Sequence, residues 1–123
     1  MAQVRNFTDL LVWQKAHNFV VEVYRISQKF PKSEIYGLTK QLRDSSLSVT
    51  SNLAEGFGRS HTKEKLQFYN VSRASLAEAQ SQILVARDIN YMHREEAASL
   101  IDKSEETYKL INCLITSLSK KST

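Results

Sequence analysis

Turn formers are scarce in this chain. One proline (Pro31) and three glycines (Gly37, Gly56, Gly58) are spread over 123 residues, too few for an all-β protein whose strands must reverse every ~8–12 residues. Cysteine occurs once, at Cys113, which excludes an internal disulfide. Its neighbours Leu110, Ile111, Leu114 and Ile115 predict a thiol packed among apolar side chains. Nowhere do ~18 apolar residues run together, and the start MAQVRNFTDL lacks the ~7–15-residue apolar stretch of a signal peptide. A cytoplasmic protein with no membrane partner is expected.

Chemistry-bearing motifs are equally sparse. Helical bundles that hold two metals use inward Glu residues and Glu-x-x-His pairs, yet none of His17, His61 and His93 has a glutamate three positions before it. His93 and Glu96 form a lone pair within HREE, too few ligands for zinc. Gly-x-Ser-x-Gly, Gly-x-Gly-x-x-Gly and Walker loops are absent. EGFGR has two glycines but follows a helical pattern instead of a strand. The expectation is a protein with no catalytic residue, no metal site and no cofactor.

What is present is helical periodicity in a chain the size of one domain, 1–123. Val12, Trp13, Ala16, Phe19, Val20, Val23 and Phe30 recur at three- and four-residue steps, predicting a first helix capped by Thr8, with Phe7 folded onto Val12 and an end near Lys29 before Pro31. Ser33 is the expected cap of a second helix carrying Leu38, Leu42, Ser45, Val49, Leu53 and Gly56, closed by Gly56-Phe57-Gly58 through a left-handed glycine. Thr62 is the expected cap of a third, with Leu66, Tyr69, Leu76 and Ile83 on one line, Phe68, Val71, Ser75 and Ala79 on the next, and Asn90 as its stop. Ala97, Ile101, Ser104, Tyr108, Ile111, Ile115 and Leu118 alternate steps of four and three in the last, a spacing that suits helices packed almost side by side. Short connections between four such helices predict an all-α, up-down-up-down antiparallel four-helix bundle.

The charge is unevenly placed. Net charge is +4, and residues 1–73 hold 11 Lys/Arg against 6 Asp/Glu, whereas residues 74–123 hold 6 against 7. Lys40, Arg43, Arg59, Lys63, Lys65 and Arg73 form a loose basic set about the loop between the second and third helices; it is either a phosphate-contacting face or an ordinary charged rim. Tyr69 and Trp13 can stack on bases, but both sit at core spacing and are read as buried. The run SSLSVTSN, 45–52, carries five hydroxyls and an amide, poor helix formers that allow close helix or subunit approach or donate to phosphate. Ser48, Ser51, Asn52, Glu55 and Gly56 are the candidate subunit interface, with Asn52 and Glu55 on one side of the helix in a polar network. Arg59 is placed either to return to Glu55 or to face phosphate.

Longer segments are more specific: FTDLLVWQKAH (7–17), FPKSEIYGLTKQLRDSSLSVTSNLAEGFGR (30–59), SLAEAQSQ (75–82) and Tyr91. In these the chain resembles the four-helix-bundle family that includes proteins encoded within intervening sequences of bacterial 23S ribosomal RNA genes. The Phe-Pro, Gly-Leu, Gln-Leu-Arg and Asn-x-Ala-Glu-Gly-x-Gly-Arg elements appear together and in order. Ala74 departs from the pattern, where the family has glycine. The resemblance implies self-assembly into a five-fold ring and contact with RNA or another nucleic acid. Related proteins include the accessory factor of diversity-generating retroelements, so the alternative partner is a nucleic-acid enzyme such as a reverse transcriptase.

Overall fold

The first apolar stripe forms helix α1, Leu11–Ser27, in a computed structural model that describes residues 3–121. Ala16, Phe19 and Val23 are wholly enclosed and Val12 and Ile26 nearly so, because residues three and four apart share a helix face. Thr8 does not cap this helix. Asn6 instead caps a single 3-10 turn, Phe7–Asp9: its Oδ1 accepts from Thr8 N at 2.8 Å, and the Asp9 carboxylate accepts in return from Asn6 N at 3.1 Å. The chain then extends at Leu10 and α1 begins without a side-chain cap. The ring of Phe7 meets Trp13 edge-on, centroids 5.2 Å apart, and Trp13 stacks on His17 at 4.7 Å.

Pro31 ends the first helical segment as expected, and the backbone frays through Lys29 and Phe30 in i→i+3 bonds to Ile26 and Ser27. Ser33 does not cap the next helix. It lies in a second 3-10 turn, Lys32–Glu34, and α2, Leu38–Phe57, starts after Gly37. Glu34 does the capping: one carboxylate oxygen accepts from Leu38 N at 3.1 Å and the other from the Tyr91 hydroxyl at 2.7 Å. Those two donors, Tyr91 first, hold the Glu34 carboxyl below the ordinary glutamate range. A depressed carboxyl contributes stability above its unfolded pKa, about 4.3, that is lost as pH falls through the folded value. Glu34→Gln is therefore expected to be less stable than the native protein at neutral pH and to converge with it in an acid titration followed by circular dichroism.

Gly56-Phe57-Gly58 ends α2 differently from expectation. Gly58 is right-handed, φ −76°, and no glycine among the described residues has positive φ. The left-handed position is Asn90, φ 66°, after α3, Thr62–Asp88. Tyr91 N donates to Ala86 O at 2.8 Å and Asn90 N to Arg87 O at 3.1 Å, the paired bonds of a Schellman stop. Asparagine tolerates this conformation, glycine adopts it freely and a β-branched residue strains it. Asn90→Gly is expected to raise stability by up to ~1 kcal/mol and Asn90→Val to lower it by about 1–2 kcal/mol, read from thermal or urea unfolding. Thr62 opens α3 from within its first turn, and the residue at the cap position, His61, makes no side-chain cap bond.

Helix α4, Arg94–Lys121, completes the bundle. α1 packs on α2 and α4, α2 on α3, and α3 on α4, the closed up-down-up-down order of an all-α four-helix bundle. The core is not purely apolar. On α3 the inward seam runs Tyr69, Ser72, Leu76, Ala79, Ile83 and Ala86; of the second line read from the sequence only Ala79 joins it, and Val71 is 46% exposed. On α4, Ser104 and Thr107 are fully buried between Leu100 and Ile111, and Tyr108, Ile115 and Leu118 are only partly covered. These hydroxyls are satisfied: Ser72 Oγ donates to Val49 O at 2.8 Å, Ser104 Oγ to Ile101 O at 2.7 Å and Thr107 Oγ1 to Lys103 O at 2.9 Å, so burial carries no desolvation penalty for an unpaired group. Cys113, expected in the apolar stripe, is exposed, because two residues past inward-facing Ile111 the helix has turned by ~200°.

Candidate nucleic-acid interface

Helix register decides where the cations meet. Arg73 Nη1 donates to Asn112 Oδ1 at 2.9 Å and Gln80 Nε2 to Ser104 Oγ at 2.8 Å, so antiparallel α3 and α4 run with the first turn of α3 level with the last turn of α4. Lys63 and Lys65 thereby share one end of the bundle with Lys120 and Lys121. The end of α2, with Arg59 just beyond it, lies there too. Lys40 and Arg43 do not: they occupy the start of α2, and the sixteen residues from Arg43 to Arg59 span about 24 Å of helix rise. The basic set expected about a single loop is split between the two ends, with Arg73 near the middle of α3.

The cations also differ in what holds them. Lys40 pairs with Asp44, and Arg43 turns inward, Nε donating to Ser27 Oγ at 2.8 Å. Arg59 returns to Glu55 at 3.1 Å while its guanidinium lies 4.8 Å from the centre of the Phe68 ring. Lys65 donates to Gly56 O at 3.1 Å and Phe57 O at 2.7 Å, satisfying two last carbonyls of α2 at the negative end of its dipole; burial pushes its ammonium pKa down. Arg73 clamps Asn70 and Asn112 across the α3–α4 seam. Lys63 is exposed and has no ion pair or hydrogen bond among the described residues. It lines a cleft of about 650 Å³ with His61, Glu64, Gln67 and Asn70, and Asn112, Thr116, Lys120 and Lys121 line another on α4. Amides, hydroxyls and lysines at one basic end are groups that contact phosphate and sugar. Lys120 and Lys121 were not among the sequence candidates; their adjacency at the end of the last periodic stripe was the signal available.

The small polar set on α2 is used largely within the chain. Asn52 Nδ2 donates to Ser48 O at 2.8 Å and to Ser48 Oγ at 3.0 Å, and Ser48 Oγ lies 2.8 Å from Ser75 Oγ on α3. The expected polar network exists, but Glu55 is turned from it to Arg59. Gly56 is buried, and a Cβ there would stand 2.6 Å from Tyr69 Cε1. Ser51 and Glu55 remain exposed, and with Phe7, Ala54, Gly58 and Arg59 they line an open cleft of about 540 Å³. Leu47, one turn earlier, is 45% exposed. Tyr69 is buried as read; Trp13 is only partly so.

Glu96 accepts from His93 N at 3.0 Å and pairs with Lys29. Among the described residues, no three His, Cys, Asp or Glu side chains cluster as metal ligands. No described helix is long and apolar enough to cross a membrane.

Residues 8–113 match the family described as 23S rRNA-intervening sequence protein. This chain belongs to that family. A protein of unknown function from the S23 ribosomal protein family of Bacteroides thetaiotaomicron VPI-5482, whose crystal structure is known at 1.70 Å, is similar in fold: 85% of this chain and 98% of that one superpose with a TM-score of 0.80 at 20% identity. No curated protein gives a significant match. The matched range includes the segment SNLAEGFGR, whose Gly56 and Arg59 serve the α2–α3 junction here.

Proposed function

We propose that the chain is a non-enzymatic scaffold that assembles as a homopentameric ring and binds RNA, 23S ribosomal RNA being the first candidate, through the basic end of each subunit. The observation that carries this reading is the convergence of unpaired Lys63 with Lys120 and Lys121, beside the amide row Asn70, Gln67 and Asn112, where helix register alone brings them together. Five copies of a +4 chain raise the total to roughly +20, a field that acts over the ~10 Å Debye length at ordinary salt. Self-association is assigned to the outward stripe of α2, Leu47, Ser51, Ala54 and Glu55, since Ser48, Asn52 and Gly56 are occupied within the subunit.

Sizing chromatography with light scattering, run with and without a 23S-derived RNA, tests both parts. A species of five times the 14.1 kDa chain mass that carries RNA at low salt and releases it as salt rises is the expected result. A ring that ignores RNA at every salt concentration would replace this reading with docking on a nucleic-acid enzyme such as a reverse transcriptase. A monomer that binds no RNA would overturn both.

A further inference from the structure

At the end of the bundle opposite Lys63, a cleft of about 430 Å³ opens between the end of α1 and the start of α2, its lining including Phe30, Pro31, Lys32, Ile35, Thr39 and Arg43. That volume lies within the ~300–1,000 Å³ of small-molecule sites. Two of its polar groups are incompletely matched by the protein. Arg43 is partly buried, and its guanidinium lies 4.9 Å from the centre of the Tyr24 ring. Nε is satisfied by Ser27 Oγ and Nη2 makes a longer contact, 3.4 Å, with Tyr24 O. Nη1 has no acceptor among the described residues, and neither nearby carboxylate is free for it: Asp44 pairs with Lys40, and Glu34 is held by Leu38 N and the Tyr91 hydroxyl. Nη1 stays open to solvent, and a guanidinium nitrogen so placed is available to a carboxylate or phosphate.

The second group is Thr39, only 3% exposed. Its hydroxyl is the one buried side-chain nitrogen or oxygen among the described residues without a hydrogen-bond partner. Native interiors leave few such groups, and an unoccupied ligand position is one cause. One staggered step about χ1 re-aims the Thr39 hydroxyl, with the methyl moving on to a third position. Phe30, Pro31 and Ile35 add an apolar wall beside these donors, the mixture of a few polar anchors and a hydrophobic lining that small ligands use.

We propose that this cleft binds a small organic oxyanion, a carboxylate or phosphate monoester on an apolar body, with Arg43 and Thr39 holding the oxyanion and Phe30, Pro31 and Ile35 covering the body. The site is independent of RNA binding at the other end. Titration of the ¹⁵N-labelled protein with benzoate, phenyl phosphate, inorganic phosphate and benzyl alcohol tests it. Either aromatic anion is expected to shift the amides of Ser27, Phe30, Thr39 and Arg43, and the stronger of the two identifies the oxyanion. Inorganic phosphate, lacking the body, and benzyl alcohol, lacking the charge, are expected to bind about tenfold more weakly. Arg43→Gln is expected to weaken the aromatic anion about tenfold. Thr39→Val is expected to weaken it several-fold without lowering the melting temperature, which separates ligand contact from misfolding, and Lys63→Gln is expected to change nothing. The proposal is overturned by an absence of shifts up to about 10 mM, where even a millimolar site fills, by shifts confined to the α2–α3 turn, or by unchanged affinity in both Arg43→Gln and Thr39→Val.

Discussion

Gly56→Ala is expected to lower the stability of the bundle by about 1–3 kcal/mol, although alanine is the better helix former by ~0.8–1.0 kcal/mol. The added methyl would stand 2.6 Å from Tyr69 Cε1, 2.9 Å from Tyr69 Cδ1 and 3.1 Å from Phe68 Cβ. Neither neighbour yields cheaply: the Tyr69 ring is 2% exposed in the core, and Phe68 Cβ moves only with the α3 backbone. Helices α2 and α3 must therefore separate, disturbing the Ser72–Val49 and Ser48–Ser75 contacts further along the same seam. Gly58→Ala is the internal control. A Cβ at Gly58 meets nothing nearer than 3.6 Å and the backbone there is right-handed, so loss of unfolded-state freedom makes this change neutral or stabilising by up to ~1 kcal/mol. Urea unfolding of the two variants checks the opposite signs.

The largest expected effect on binding comes from Lys63, Lys120 and Lys121 together. Replacing all three by glutamine is expected to weaken RNA binding roughly a hundred-fold near physiological salt and to reduce the slope of log affinity against log salt by about 2–3 for each engaged subunit, because each phosphate neutralised releases counterions. The loss is expected to be similar across RNA sequences, since backbone contacts carry no base information. Lys40→Gln is expected to have little effect, as its charge is already paired with Asp44 at the other end of the molecule. Filter binding across a salt series, with circular dichroism to confirm folding, measures these differences. Lys65 is left unchanged in the test because it caps α2, so removing it would mix lost structure with lost charge.

Much of the fold is legible in residue spacing. The stripe from Val12 to Val23, the break at Pro31 and the left-handed stop at Asn90 each follow from local geometry, and each stands in the structure. Caps were less legible: Thr8, Ser33 and Thr62 are all competent hydroxyls near a helix start, but a 3-10 turn and a carboxylate, Asp9 or Glu34, displaced the first two, and Thr62 falls inside the first turn of α3 behind an uncapped His61. Ser45 and Ser104 stand in the stripes read from the sequence and are buried, but two other core hydroxyls were missed. A search for apolar periodicity passes over Ser72 and Thr107, whereas the folded chain buries them by giving each a backbone carbonyl.

The candidate interface was legible only in part. Spacing along one helix places Lys63 near Lys65, but it carries no information on antiparallel register, which brings Lys120 and Lys121 alongside and sends Lys40 and Arg43 to the far end. Gly56 shows the same limit. Sequence reading takes it for part of a left-handed helix stop, but it lies inside α2; its use as a space for Tyr69, thirteen residues later on another helix, required the packing of α2 against α3.

Hydrogen–deuterium exchange on the purified protein, with and without RNA at low salt, tests most directly whether the basic end is the binding face. The expected result is added protection in residues 59–70 and 112–121, with little change in residues 28–43. Protection confined to residues 28–43, or none anywhere despite bound RNA, would contradict the assignment of RNA contact to the end formed by the α2–α3 turn and the last turns of α4.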